Sequence, residues 1–132
     1  MMLLSPHFSM EELVCPCCQQ IKCVPWLNAH LLLLEMIREE LSDIAEREIP
    51  ININSGYRCE EHNERIGGST GSWHMEFATD WWPDDLELLP EASRLAVELG
   101  FTGVKRYGAF IHSDMRNKDP WIINVPGHED TE

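Results

Sequence analysis

The sequence predicts an α+β domain in which helices cover one face of a small antiparallel sheet. Three observations lead there. Residues 25–46 repeat Ala29, Leu32, Leu33, Met36, Ile37 and Leu41 at helical spacing. Residues 89–99 form a second helix-length segment, ended by Gly100. Four short runs, 51–55, 77–82, 103–107 and 110–114, read as strands bounded by Pro and Gly, and the last two are joined by a turn at Gly108. Helices grouped against such a sheet make the class α+β.

In chain order, Ser9-Met10-Glu11-Glu12 has the S-x-x-E form of a capping box and starts a short helix. A cysteine-rich loop over residues 15–23 follows. Pro25 suits the first turn of the long helix, whose Leu and Met stripe is core. Pro50 closes that segment, and Ile51-Asn52-Ile53-Asn54-Ser55 alternates as a half-buried strand does. Residues 60–66 form a short helix stopped by Gly67-Gly68. Residues 116–132, with Asp119-Pro120 and Val125-Pro126-Gly127, are irregular and acidic. Neither a repeat nor a linker divides the chain, so residues 1–132 are read as a single domain.

At 132 residues the chain is long enough to bury a core without disulfides. Its net charge of −13 argues against nucleic acid as a partner, since phosphate binding needs clustered Lys and Arg. The runs Asp84-Asp85-Leu86-Glu87 and Glu129-Asp130-Thr131-Glu132 are solvated faces. The opening MMLLSPHF lacks the basic start of a secretory signal. The apolar stretch Leu31–Leu34 is flanked by His30 and Glu35, so membrane insertion is not expected. The expectation is a chain made in the cytoplasm that reaches an external substrate only by delivery. Cys15, Cys17, Cys18, Cys23 and the distant Cys59 read as reduced thiols; a structural zinc at the first four is a weak match, because CPCCQQIKC is not a pair of C-x-x-C knuckles. A disulfide is the remaining alternative. Nothing in the sequence sets the oligomeric state.

Three segments carry chemistry: Ser55–His74, Ala78–Asp80 and Phe110–Arg116. Side chains at i and i+2 of a strand share a face, so His112 pairs with Asp114 and Asp80 with Trp82. If those two strands are central neighbours, Asp80 meets His112 across the sheet and His74 adds a third ligand from a loop. Catalytic zinc takes three such protein ligands and keeps one position for water. A carboxylate must then carry the water's proton, with Asp114 the nearest candidate and Glu76 a weaker one. Arg58 offers two parallel donors to a substrate carboxylate. His7, His30, His62 and His128 read as structural or surface residues. Trp73, Trp81 and Trp82 suit core packing better than the floor of a cleft.

At these residues the chain resembles the zinc D-Ala-D-Ala carboxypeptidase family, the M15 peptidases, and especially its short phage and bacterial members. The resemblance covers Ser55-Gly56-Tyr57-Arg58, His62-Asn63, Gly67-Gly68, Ser72-x-His74, Ala78-x-Asp80 and Phe110-x-His112-x-Asp114, with Phe8, Glu11-Glu12 and the cysteines resembling the family's N-terminal region. It implies a hedgehog-like, DD-peptidase-like fold, one zinc on His74, Asp80 and His112, and hydrolysis of peptide bonds in peptidoglycan stem peptides. It further implies that Arg58 grips the substrate carboxylate and that Ser72 holds substrate or loop. The pattern departs from the family twice. His74 and Asp80 stand one residue closer, with Glu76 or Phe77 in place of a glycine, and Ala109 occupies the position where several members carry an acidic catalytic residue. A non-catalytic metal- or wall-binding module of the same fold is the alternative reading.

Overall fold

The structure is a computed structural model that describes residues 2–116. It opens with a small hairpin, β1 (Leu3–Ser5) and β2 (Phe8–Ser9), leading into α1 (Met10–Leu13). At the start of α1 the Ser9 N–H donates to the Glu12 carboxylate at 2.8 Å, as the capping-box motif requires. Next come α2 (Leu27–Ala45), β3 (Ile51–Ser55) and α3 (Glu60–Arg65), then a 3₁₀ turn at Trp73–Met75 and β4 (Ala78–Pro83). A second 3₁₀ turn (Leu86–Leu88) leads into α4 (Leu89–Leu99), and β5 (Gly103–Arg106) and β6 (Ile111–Asp114) finish the described chain. The hairpin at the start and the two 3₁₀ turns were not anticipated. The expected irregular tail lies outside the described residues, apart from Arg116.

The four-stranded sheet has the order β3-β4-β6-β5, and every neighbouring pair is antiparallel. This is the predicted α+β class, with the predicted central pair. Asp80 stands opposite His112, and Trp81 opposite Ile111. The period of two therefore sorts the central strands by face. Thr79, Trp81, Ile111 and Ser113 alternate with Ala78, Asp80, His112 and Asp114.

The first set packs under α2 and α4. Trp81 and Ile111 are fully buried there with Leu34, Ile37, Leu41, Phe77 and Ala96. Trp81 satisfies its indole N–H on the Ser113 hydroxyl at 2.6 Å, which a buried donor needs.

The face that α2 buries differs from the predicted stripe. His30, Leu31, Leu33, Leu34, Ile37 and Leu41 are inside, whereas Leu32 is 59% exposed and Met36 38% exposed. Four consecutive leucines fit either of two rotations of the helix. The rotation observed sets His30, Leu34, Ile37 and Leu41 at the i, i+4, i+7 spacing of a core face. His30 is thus a core residue, edge-on to Phe77 and Phe101 at 4.8 and 4.7 Å between ring centres, with Nε2 2.8 Å from the Thr79 hydroxyl. Burial pushes its pKa down to about 3, so it is neutral in the folded protein.

The N-terminal arm closes onto the end of β3. Tyr57 N–H donates to the Leu13 carbonyl at 2.9 Å. A Cβ on Gly56 would lie 2.5 Å from the same carbonyl oxygen, so only glycine permits the approach.

Candidate metal centre

Asp80 and His112 come from the central strands β4 and β6, and His74 from the 3₁₀ turn just before β4. One nitrogen of each histidine and one carboxylate oxygen of Asp80 lie within 4.8 Å of one another. Asp80 Oδ1 is 3.2 Å from His74 Nε2 and 3.1 Å from His112 Nδ1. All three residues are buried.

The shorter spacing between His74 and Asp80 is taken up before the strand begins. The 3₁₀ turn places His74, and Glu76 with φ −101° and ψ −80° reverses the chain into β4. Ser72 caps that turn, its hydroxyl accepting from His74 N–H at 3.2 Å. Its contact in the structure is therefore with the loop that presents His74.

Hydrogen bonding on the far side of each ring assigns the tautomers. His74 Nδ1 lies 2.7 Å from the Gly56 carbonyl oxygen. A carbonyl only accepts, so that nitrogen carries the proton and Nε2 turns its lone pair toward Asp80. His112 Nε2 lies 2.6 Å from Asp114 Oδ2. Burial alone would raise the Asp114 carboxyl, but hydrogen bonds from His112 and Arg116 outweigh it and hold the pKa below the ordinary range. Asp114 is thus an ionised acceptor, and His112 directs the lone pair of Nδ1 at Asp80. Two lone pairs and an anionic oxygen converging in a buried space repel one another unless a cation lies between them. The donor set fits a divalent ion such as zinc.

Asp114 shares the sheet face of His112, as expected, but its carboxylate is on the side of the imidazole away from Asp80. It is fully buried. Arg116 Nε donates to its two oxygens at 2.7 and 2.8 Å, and Arg116 Nη2 lies 3.3 Å from His112 Nε2. The geometry is that of a carboxylate orienting a ligand histidine, not of one reaching a nucleophilic water. The other candidate, Glu76, pairs with Lys22 at 2.9 Å on the surface.

Arg58 is 7% exposed and stands beside the triad. Its N–H donates to the His74 carbonyl at 2.8 Å, and its Nη2 lies 3.6 Å from Asp80 Oδ2. Nη1 donates to Asn63 Oδ1 at 3.1 Å, and Nε to the Ser55 hydroxyl at 3.3 Å. A cleft of about 640 Å³ opens next to it, lined by Glu11, Glu12, Asn54, Ser55 and His62 among others.

Three supporting residues escaped the sequence reading. Asn63 fixes Arg58 and donates to the Ser69 carbonyl at 2.8 Å. Gly103, paired with Asp114, leaves the space that the Asp114 and Arg116 side chains fill: a Cβ there would lie 2.2 Å from Asp114 Oδ1 and 2.4 Å from Arg116 Nε. Arg116 also stacks over Trp73 at 5.5 Å. Asn63 carried a signal, being part of a matched motif, and Arg116 ends the segment Phe110–Arg116; Gly103 is a neighbour only in space.

All five cysteines are free, as the reading of reduced thiols expects. The alternative set of Cys15, Cys17, Cys18 and Cys23 is corrected: the residues that gather are Cys15, Cys18 and Cys59, and Cys23 is exposed and outside the group. Cys59, remote in sequence, arrives because β3 and the N-terminal arm run together. No helix among the described residues is long and apolar enough to cross a membrane.

The family model described as Peptidase M15 matches residues 6–114, which include every residue of the triad. No curated protein matches the chain.

Proposed function

Because the chain belongs to the Peptidase M15 family, and so to a family of peptidases, we propose that it is a zinc-dependent peptidase cutting peptide bonds in peptidoglycan stem peptides. The observation that carries the zinc reading is the convergence of His74 Nε2 and His112 Nδ1 on Asp80 Oδ1 at 3.2 and 3.1 Å, each histidine locked from behind. His74, Asp80 and His112 hold the ion. The chemistry a bound zinc supplies is polarisation of the scissile carbonyl and a water acidified toward neutrality.

The protein's own residues do the rest. Arg58 keeps a rigid, fully charged fork beside the triad and grips the substrate's terminal carboxylate. Ser72 holds the turn that carries His74. Asp114 keeps the proton on His112 Nε2 and turns the lone pair of Nδ1 toward the ion, which makes it a positioning residue and not the proton carrier.

A second reading has one observation in its favour. Ala109 is inert, and among the described residues the two carboxylates considered as base, Asp114 and Glu76, are both committed elsewhere. A metal- or wall-binding module of the same fold fits that. One experiment separates the two: purified protein incubated with D-Ala-D-Ala-ended stem peptides, with and without chelator. Release of alanine or of a cleaved stem peptide that stops with chelator and returns with zinc is the expected result. Bound zinc with no turnover selects the binding module.

A further inference from the structure

A group of thiols outside the histidine–aspartate triad has the geometry of a second metal centre. Cys15, Cys18 and Cys59 each offer a sulfur within 4.8 Å of the others. The Sγ atoms of Cys15 and Cys59 are 3.6 Å apart. That is far beyond the roughly 2.05 Å of a disulfide. It is close to the edge of a tetrahedron of sulfurs around zinc, about 3.8 Å for a Zn–S bond of about 2.3 Å.

The backbone around the group is arranged for this. Cys15 and Cys18 are the ends of a C-x-x-C, the spacing with which a zinc knuckle presents two thiolates. The chain turns back directly after it: Gln19 takes a positive φ of 62°, its N–H donates to the Cys15 carbonyl at 2.8 Å, and Cys15 N–H donates to the Gln20 carbonyl at 2.9 Å. Amide groups point at sulfur, Cys59 N–H to Cys15 Sγ and His62 N–H to Cys59 Sγ, both at 3.4 Å. N–H groups directed at sulfur are contacts that a metal-bound thiolate accepts. Cys15 is completely buried. Three buried or half-buried thiols gathered without a cation would give weak hydrogen bonds and mutual repulsion on ionisation; a soft cation turns the same arrangement into three strong bonds.

We propose that Cys15, Cys18 and Cys59 bind a structural zinc whose fourth position is taken from outside the group; the neighbouring Cys17 Sγ meets Glu61 at 3.4 Å and Arg65 at 3.7 Å. The ion would tie the N-terminal arm to the residue that follows Arg58, and so fix the backbone from which Arg58 reaches the triad. The proposal does not depend on peptidase activity.

The test uses the full chain loaded with cobalt(II), which shows intense near-ultraviolet charge-transfer absorption only when thiolates ligate it. The wild type is expected to show that absorption and to carry two zinc ions by native mass spectrometry. Cys18→Ser and Cys59→Ser are expected to lose the absorption and half of the zinc, while His112→Ala loses half of the zinc and keeps the absorption. Cys23→Ser leaves both unchanged. Wild-type protein without a thiolate band at full metal loading, or a band that survives Cys59→Ser, overturns the proposal. The wild-type spectrum decides the matter even if a serine variant fails to fold.

Discussion

The carboxylate of Asp114 meets Nε2 of His112 at 2.6 Å, on the opposite side of the ring from Asp80, which faces Nδ1 at 3.1 Å. One imidazole thus links a buried anion to the triad, and its proton is fixed on the Asp114 side. Residues behind a ligand histidine typically affect metal affinity as well as rate.

Asp114→Asn keeps the shape of the side chain and weakens the acceptor. Zinc affinity is expected to fall about 10- to 100-fold. Competition with a chromophoric chelator measures it. Unchanged affinity with lost turnover would instead restore Asp114 as the proton carrier.

Gly103→Ala is expected to reproduce that phenotype from the neighbouring strand. Its methyl group would collide with the Asp114 carboxylate and the Arg116 guanidinium, which hold fixed places in a buried network. Zinc affinity should fall with the loss of stability; a Gly103→Ala protein with wild-type affinity would show that the network yields without consequence.

Arg58→Lys preserves the charge and removes the fork. Bidentate recognition of a carboxylate should suffer, so KM for stem peptides is expected to rise more than kcat falls. A pure stability loss with unaltered KM would assign Arg58 to holding Ser55 and Asn63 alone.

His30 predicts a pH effect on folding. Folded His30 takes a proton only at about pH 3, against 6.5 for an ordinary histidine. Between these values the unfolded chain binds more protons than the folded one, so stability declines as pH falls from about 6.5 toward 3. Urea midpoints across that window should show the decline, and His30→Gln should flatten it relative to wild type. A slope unaltered by the substitution would deny His30 its part.

Much of this was legible in the sequence because sheet geometry is periodic. His112 and Asp114, two apart, had to share a face, and the central pairing then brought Asp80 opposite His112. The rotation of α2 was not legible, because a run of four leucines satisfies more than one helical face. The hairpin of Leu3–Ser5 with Phe8–Ser9 is too short to show alternation. The company kept by Cys59 and the space left by Gly103 depend on chain segments meeting from afar, and spacing along the sequence does not encode that.

The alternation of β4 and β6 sets what length changes this protein tolerates. Adding or deleting one residue inside either strand would turn Trp81 or Ile111 outward and send Asp80 or His112 into the apolar layer, undoing packing and chemistry in a single event. Loops carry no such penalty. The one-residue difference from the family pattern lies before Ala78, in the stretch where the backbone can shorten without either strand changing sides.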